Sequence, residues 1–404
     1  MRVRQPQHFF RSTPWLNCFI SLWTCVALCG LDSAALGAGL VMSGDTLVDL
    51  DFGVSQTVTG PLSGTGTLVE TGAGILRLVD AGTSTFTGDF AINCGVLVVS
   101  GAGQLGAASN NVYVAGANNN NSLFYGGQLV VDGGTSGITI AQDISLAGKG
   151  SMAPNGGASL LSIGNATYSV ALLTGASVTE TYLDFAYGNT TLAGPVQIAT
   201  PGNRTYFGGA GNVIVTGLIS GFEAANQKFV KGTGILSSSL WLQNTNNTFL
   251  SSISLTGGFL RVSDGRALGK NPSLKIDFSS GVLDIHADAD TLPSFSGVNV
   301  SPGIGMTIFA DRAIGGSGLS QTVTLGIITA DGGNNAMTIN GRNGYSVTMG
   351  SSGATLLSSG GGFVKNYSNN SGGNGLLTLL GNIRLGNSTA AFNAQSDITQ
   401  GFLF

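Results

Sequence analysis

The segment Ser84 to Gly106, STFTGDFAINCGVLVVSGAGQLG, returns as Asn247 to Gly269, NTFLSSISLTGGFLRVSDGRALG, at a constant offset and without a gap. Thr85, Phe86, Gly95, Leu97, Val99, Ser100, Leu105 and Gly106 match Thr248, Phe249, Gly258, Leu260, Val262, Ser263, Leu268 and Gly269. The likeness extends upstream: TGPLSG at Thr59 is echoed by TGLISG at Thr216, and LVETGAGIL by FVKGTGIL (Phe229 to Leu236). A copied strand-turn-strand unit is the mark of a repeat architecture, in which each unit buries its apolar face only against a neighbour. The units lie at about 59–107 and 216–270, with a partial one at about 360–404.

Composition narrows the class. The chain carries 65 Gly among 404 residues, with 42% hydrophobic and only 9% charged residues. Nine Pro and no three-residue Gly period exclude collagen. The apolar content excludes plain disorder. Short apolar runs, such as Ile75 to Leu78 and Leu129 to Val131, are divided by Gly, Asn, Ser and Thr. No helical periodicity of useful length stands out after residue 38. Strands this short, stacked at ~4.8 Å around a narrow core, predict an all-β, right-handed parallel β-helix over 39–404. Strand spacing leaves a β-sandwich array as the alternative.

Residues 1–38 read as a secretory signal peptide. Met1 to Pro14 holds three Arg and no acid, Trp15 to Leu31 is mostly apolar, and Ser33, Ala34, Ala35, Gly37 and Ala38 supply a small-residue exit. Cleavage is expected within about 35–38. An uncleaved anchor is the rival, but its run is short for a ~20-residue span and is broken by Asn17, Ser21 and Thr24. A lipid-anchored Cys29 would follow a bulky Leu28 where lipoprotein signals carry a small residue. Cleavage removes Cys18, Cys25 and Cys29, so Cys94 remains alone and is read as a packed thiol in a strand at Phe90 to Cys94. Loss of Arg2, Arg4, Arg11 and Asp32 moves the net charge from −4 to about −6. The remaining charges are scattered, with no basic stripe for nucleic acid.

The shared blocks resemble the autotransporter-associated β-strand repeat, also called the passenger-associated transport repeat. Phe229 to Leu236 is similar to its Lys-x-Gly-x-Gly-x-Leu block, Asn247-Thr248-Phe249 to its Asn-x-Phe block, and Gly258 to Val262 to its Gly-x-Leu-x-Leu block. The first unit departs from the pattern, with Glu70 in place of Lys and Ser84 in place of Asn. The resemblance covers two clear units and one partial one. It implies an exported passenger-type β-solenoid, displayed on or released from a bacterial surface. Complete autotransporters end in a membrane β-barrel of alternating strands and aromatic girdles. The residues up to Phe404 show no such pattern, so the reading expects another export route or a shortened product.

Candidate chemistry is sparse. Asp284, His286, Asp288 and Asp290 in LDIHADAD share one strand face by period two. Carboxylates and an imidazole suit a divalent ion. Same-face side chains stand about 7 Å apart, however, so a polar outer face with Leu283, Ile285, Ala287 and Ala289 inward is the favoured reading. His286 is the one His left after cleavage and stands in no nucleophile motif. Calcium-binding Gly-Gly-x-Gly-x-Asp does not recur. Trp241 could stack on sugar, although Leu240-Trp241-Leu242 reads equally as a core strand. The expectation is therefore a non-enzymatic structural or adhesive protein with no catalytic, cofactor or metal residues. Its expected partners are cell-surface components or extracellular polysaccharide, with no nucleic acid and no stable membrane span after cleavage. The alternative is a carbohydrate-active β-helix enzyme, which needs carboxylates clustered in a groove.

Overall fold

A strand of three to five residues cannot satisfy its own backbone donors and acceptors, which must find a partner strand, either across a tight turn or in the coils before and after it. The computed structural model shows the second arrangement. It describes residues 39–79, 84–115, 126–148, 158–174, 180–198, 204–221, 228–232, 238–271, 274–301, 305–327, 336–350 and 376–380, and the backbone of some further strands. Every strand pairing among them is parallel, which rules out the sandwich array and establishes a parallel β-solenoid. The described helices are two single 3-10 turns, Gly265–Leu268 and Leu292–Phe295. No helix among the described residues is long and apolar enough to cross a membrane.

Three long ladders run along the stack, with a shorter one from Thr322–Leu325 through Ser346–Met349 to Leu377–Leu379 and a pairing of Val41–Ser43 with Ser63–Thr65. The first joins eight strands from Thr46–Val48 through Phe90–Ile92 and Leu172–Thr174 to Ile219–Gly221. The second runs from Ser55–Val58 through Gly95–Val99, the first halves of Gly127–Ile140 and Leu160–Tyr168, Glu180–Tyr187, Arg204–Gly208 and Lys228–Lys231 to Asn299–Ser301. The third starts in the second halves of Gly127–Ile140 and Leu160–Tyr168. It continues through Asn189–Leu192, Asn212–Val215, Ser239–Leu242, Phe259–Val262, Val282–His286 and Gly305–Asp311 to Ala336–Gly341 and beyond.

Coil length is set by ladder register. Leu68, Phe90 and Val112 pair in turn at a spacing of 22 residues, and Thr205, Phe229 and Ile253 at 24. Between Ile308 and Ile339 the turn takes 31 residues. Alternate side chains of each ladder point inward. On the first ladder Leu68, Phe90, Val112, Ile144, Leu172, Val196 and Ile219 form one apolar column. Deeper in the stack Phe229 lies between Phe207 and Phe249, with ring centroids 4.7 and 5.7 Å apart. Each such side chain adds about 1.5–3 kcal/mol of burial.

The sheet is two-faced near its start. Gly95–Val99 is buried on both sides, and Val96, Val98, Val130 and Leu161 form a second apolar cluster on the outer face. Their near-continuous apolar runs are what a doubly covered parallel strand requires.

The two sequence units repeat the same local bonds. Ser84 Oγ accepts from the Leu62 amide at 3.0 Å, and Asn247 Oδ1 accepts from the Ile219 amide at 2.8 Å. The amides of Ala107 and Lys270 donate to the carbonyls of Phe86 and Phe249. Their place in the stack differs. Gly95–Val99 belongs to the second ladder and Phe259–Val262 to the third, so the later unit sits one face further round.

Three local expectations are corrected. The stretch Asp45 to Val58, whose loose alternation at Leu47 to Phe52 reads as one first strand, is two strands, Thr46–Val48 and Ser55–Val58, and Phe52 between them is 74% exposed. The strand at Phe90 ends at Ile92, so Cys94 lies in the following corner, half-buried. Ala289 is exposed rather than inward, because the strand ends at His286. The signal segment lies outside the described residues, apart from the Ala35–Leu36 backbone, which pairs with Thr57–Val58. The partial unit near 360–404 is described mainly as strand backbone, such as Phe363–Ser368.

Candidate functional site

The strand Val282–His286 turns Leu283 and Ile285 into the core and Asp284 and His286 outward, onto the third ladder's outer face. Parallel register places Trp241, Arg261, Asp284, Phe309 and Asn340 in one row across five coils. Asp284 is buried beneath its neighbours. Its Oδ2 accepts from Arg261 Nε at 2.7 Å, and its Oδ1 lies 3.1 Å from His286 Nε2. That second approach suits an ion pair in distance, but its angle leaves both atoms without a directed hydrogen bond. Burial pushes the Asp284 carboxyl up; His286 and Arg261 outweigh this and hold it below the usual carboxylate range. His286 Nδ1 faces the Arg312 carbonyl at 3.2 Å. The ring therefore meets a carboxylate and a carbonyl, not a nucleophile.

Asp288 and Asp290 do not join them. Asp288 lies past the strand end, where its Oδ1 accepts from the Ala313 amide and from Tyr345 Oη, both at 3.2 Å. Gly316 and Gly318 pass so close that a Cβ on either would come within 2.3 and 2.6 Å of the Asp288 carboxylate. Asp288 thus pins the 313–318 loop. Asp290 is exposed. Among the described residues, no group of three or more His, Cys, Asp or Glu is placed to hold a metal ion.

Around Asp284 the face is aromatic and cationic. Arg261 lies 5.9 Å from the Trp241 ring and Arg342 4.7 Å from the Phe309 ring, both within cation–π range. Phe259 and Phe309 approach to 6.1 Å. Trp241 is half-buried on the outside while Leu240 and Leu242 fill the core, so the core-strand reading holds for the two leucines and not for the Trp ring. Trp241 Nε1, Asn340 Oδ1 and Arg342 Nε are enclosed without a hydrogen-bond partner. Arg261, Phe309 and Arg342 carry no motif; only the pairing of distant coils brings them together.

A second outward cluster lies on the second ladder. The rings of Tyr182 and Tyr206 stack at 4.3 Å and 1°. Both hydroxyls donate to Glu180, at 3.0 and 3.3 Å, with Arg204 at 3.7 Å from the same carboxylate. Burial, Tyr206 and Glu180 push the Tyr182 phenol up. This carboxylate is held by phenols and a cation rather than facing a second acid, as paired-carboxylate hydrolysis needs.

Two further ionisable groups point into the core. Glu70 stands in the column between Val48 and Ile92, and burial pushes its carboxyl up to about 9. Lys231, its sequence counterpart, donates to Ser238 Oγ at 2.9 Å, and burial lowers its ammonium to about 8. Burial, with Glu70 and Asp49 nearby, raises the Cys94 thiol, which disfavours a reactive thiolate.

No protein-family model and no solved structure matches the chain. The chain is 27% identical over 325 residues to the protein named Adhesin BmaC autotransporter of Brucella suis biovar 1 (strain 1330). The aligned region takes in 71% of this chain and 9% of that protein, so the chain spans under a tenth of the relative's length.

Proposed function

We propose that this chain is a passenger-type β-solenoid that makes adhesive contacts at a bacterial surface and has no catalysis of its own. The observation that carries this reading is the likeness to an autotransporter adhesin across 71% of the chain. The parallel solenoid and the resemblance of the repeat blocks to passenger-associated repeats are consistent with it. A solenoid suits adhesion because stacked coils offer long, rigid outer faces on which side chains from distant residues line up in rows. The competing enzyme reading would need a free pair of acids. The outward carboxylates of Glu180 and Asp284 are instead each engaged by phenols or cations.

The test is expression of the full chain in a Gram-negative host, followed by fractionation, protease accessibility and N-terminal sequencing of the recovered protein. Beads coated with that protein are then scored for attachment to host cells. The expected result is surface or medium recovery, a new N-terminus between Leu36 and Gly39, and attachment above uncoated beads. Cytoplasmic recovery with Met1 intact, or no attachment, overturns the proposal.

A further inference from the structure

The third ladder's outer face, between Trp241 and Arg342, combines features that no other described surface of the stack combines. Its row from Trp241 to Phe309 crosses three strand spacings, about 14 Å. It offers flat rings at Trp241, Phe259 and Phe309, all half-buried and open to solvent on one side. Beside them runs a parallel row containing Ser239, Thr307 and Thr338. The two guanidiniums differ. Arg261 is committed to Asp284 at 2.7 Å. Arg342 makes no ion pair among the described residues; its guanidinium carbon lies over the Phe309 ring, 4.7 Å from the centroid. A stacked guanidinium is pre-organised to donate two parallel hydrogen bonds to a carboxylate. At the two ends of the row, four strand spacings or about 19 Å apart, Asn340 Oδ1 and Trp241 Nε1 are an enclosed acceptor and donor without partners.

From this we infer that the face binds a carboxylate-bearing oligosaccharide. The sugar rings lie against Trp241 and the two Phe, and one carboxylate is taken by Arg342. The inference rests on the adhesive reading above and specifies its ligand. A nucleic acid would also stack, but it needs several phosphates neutralised. This face carries one uncommitted cation on a chain of net charge −4.

The full chain is titrated with polygalacturonate oligomers, with neutral dextran oligomers of matching length and with single-stranded oligothymidylate. Binding is read by calorimetry and by Trp241 emission, taken as the difference from Trp241→Phe. Polygalacturonate is expected to bind at least tenfold tighter than either other probe. Arg342→Gln and Trp241→Ala should each weaken it at least tenfold. Arg342→Lys should recover part of the loss, since it keeps the charge without the fork, and Arg204→Gln on the second ladder should change nothing. Thermal midpoints confirm that each variant is folded, and Arg342→Lys and Trp241→Phe serve if a harsher change is not. Equal binding of dextran, tighter binding of oligothymidylate, or unchanged affinity in folded face variants overturns the inference. Attachment of coated beads that survives Arg342→Gln removes this face while leaving the adhesive reading standing. Loss of attachment in the unaltered chain removes that reading itself.

Discussion

At the scale of single residues, the most informative pair is Glu70 and Lys231. Each is inward-facing and almost fully buried, and they occupy one position of the repeated unit. The following glycine makes room for each: a Cβ on Gly95 would sit 2.9 Å from Glu70 Oε1, and one on Gly258 would sit 3.0 Å from Lys231 Nζ. Their pH dependences have opposite signs. The Glu70 pKa rises from 4.5 to about 9 on folding, so the native state holds the proton more tightly and its contribution falls as pH rises from 4.5 through 9. The Lys231 pKa falls from 10.5 to about 8, so its contribution is full above 10.5 and is lost as pH drops through 8. Glu70→Gln is therefore expected to flatten the decline of the thermal midpoint between pH 5 and 9, and Lys231→Met to flatten the rise between pH 8 and 10.5. Circular dichroism melts across that range check both. A Glu70→Gln profile parallel to the unaltered protein would refute the assignment of a buried neutral carboxyl.

At the scale of elements, corners decide more than strands. Gly258 has φ 64°, and a Cβ there would meet the Ser238 carbonyl oxygen at 2.6 Å. Gly53 has φ 84° but open space around it. Both positions disfavour a side chain by backbone strain of about 1–3 kcal/mol. Only Gly258 adds a steric clash with the backbone of another coil. Gly258→Ala is expected to lower the unfolding free energy by more than about 2 kcal/mol and Gly53→Ala by about 1 kcal/mol. Urea titration of the two variants decides, and equal losses would show that φ alone matters. The same logic explains why Ser84 and Asn247 were readable as equivalents. Each fills a corner where a neighbouring coil's amide needs an acceptor.

At the scale of the molecule, a coil touches mainly the coils beside it, so damage should stay local. Phe229 is the middle ring of the Phe207–Phe229–Phe249 stack. Phe229→Ala is expected to cost about 3–5 kcal/mol. Hydrogen exchange should speed up in Arg204–Gly208, Lys228–Lys231 and Ser252–Leu255 while Leu68–Glu70 and Phe90–Ile92 keep their protection. Uniform loss of protection along the chain would mean that the stack unfolds as one cooperative body instead.

The copied block, the glycine punctuation and the short alternating runs determined an all-β repeat of short strands; that these stack in parallel rather than pair in a sandwich was decided by the register between coils. The inward alternation at Leu283 and Ile285 was legible because side chains on a strand alternate with period two. Tertiary structure alone decided the rest. Repeat likeness said nothing about which face a unit occupies: Gly127–Ile140 and Leu160–Tyr168 each run on from the second ladder into the third, and the later unit lies one ladder round with the same local bonds. LDIHADAD looked like one constellation because spacing along a strand is visible in sequence, whereas the end of that strand at His286 is not. The row of Trp241, Arg261, Asp284, Phe309 and Asn340 left no motif because its members are neighbours only across the stack, where register between coils of unequal length sets who meets whom.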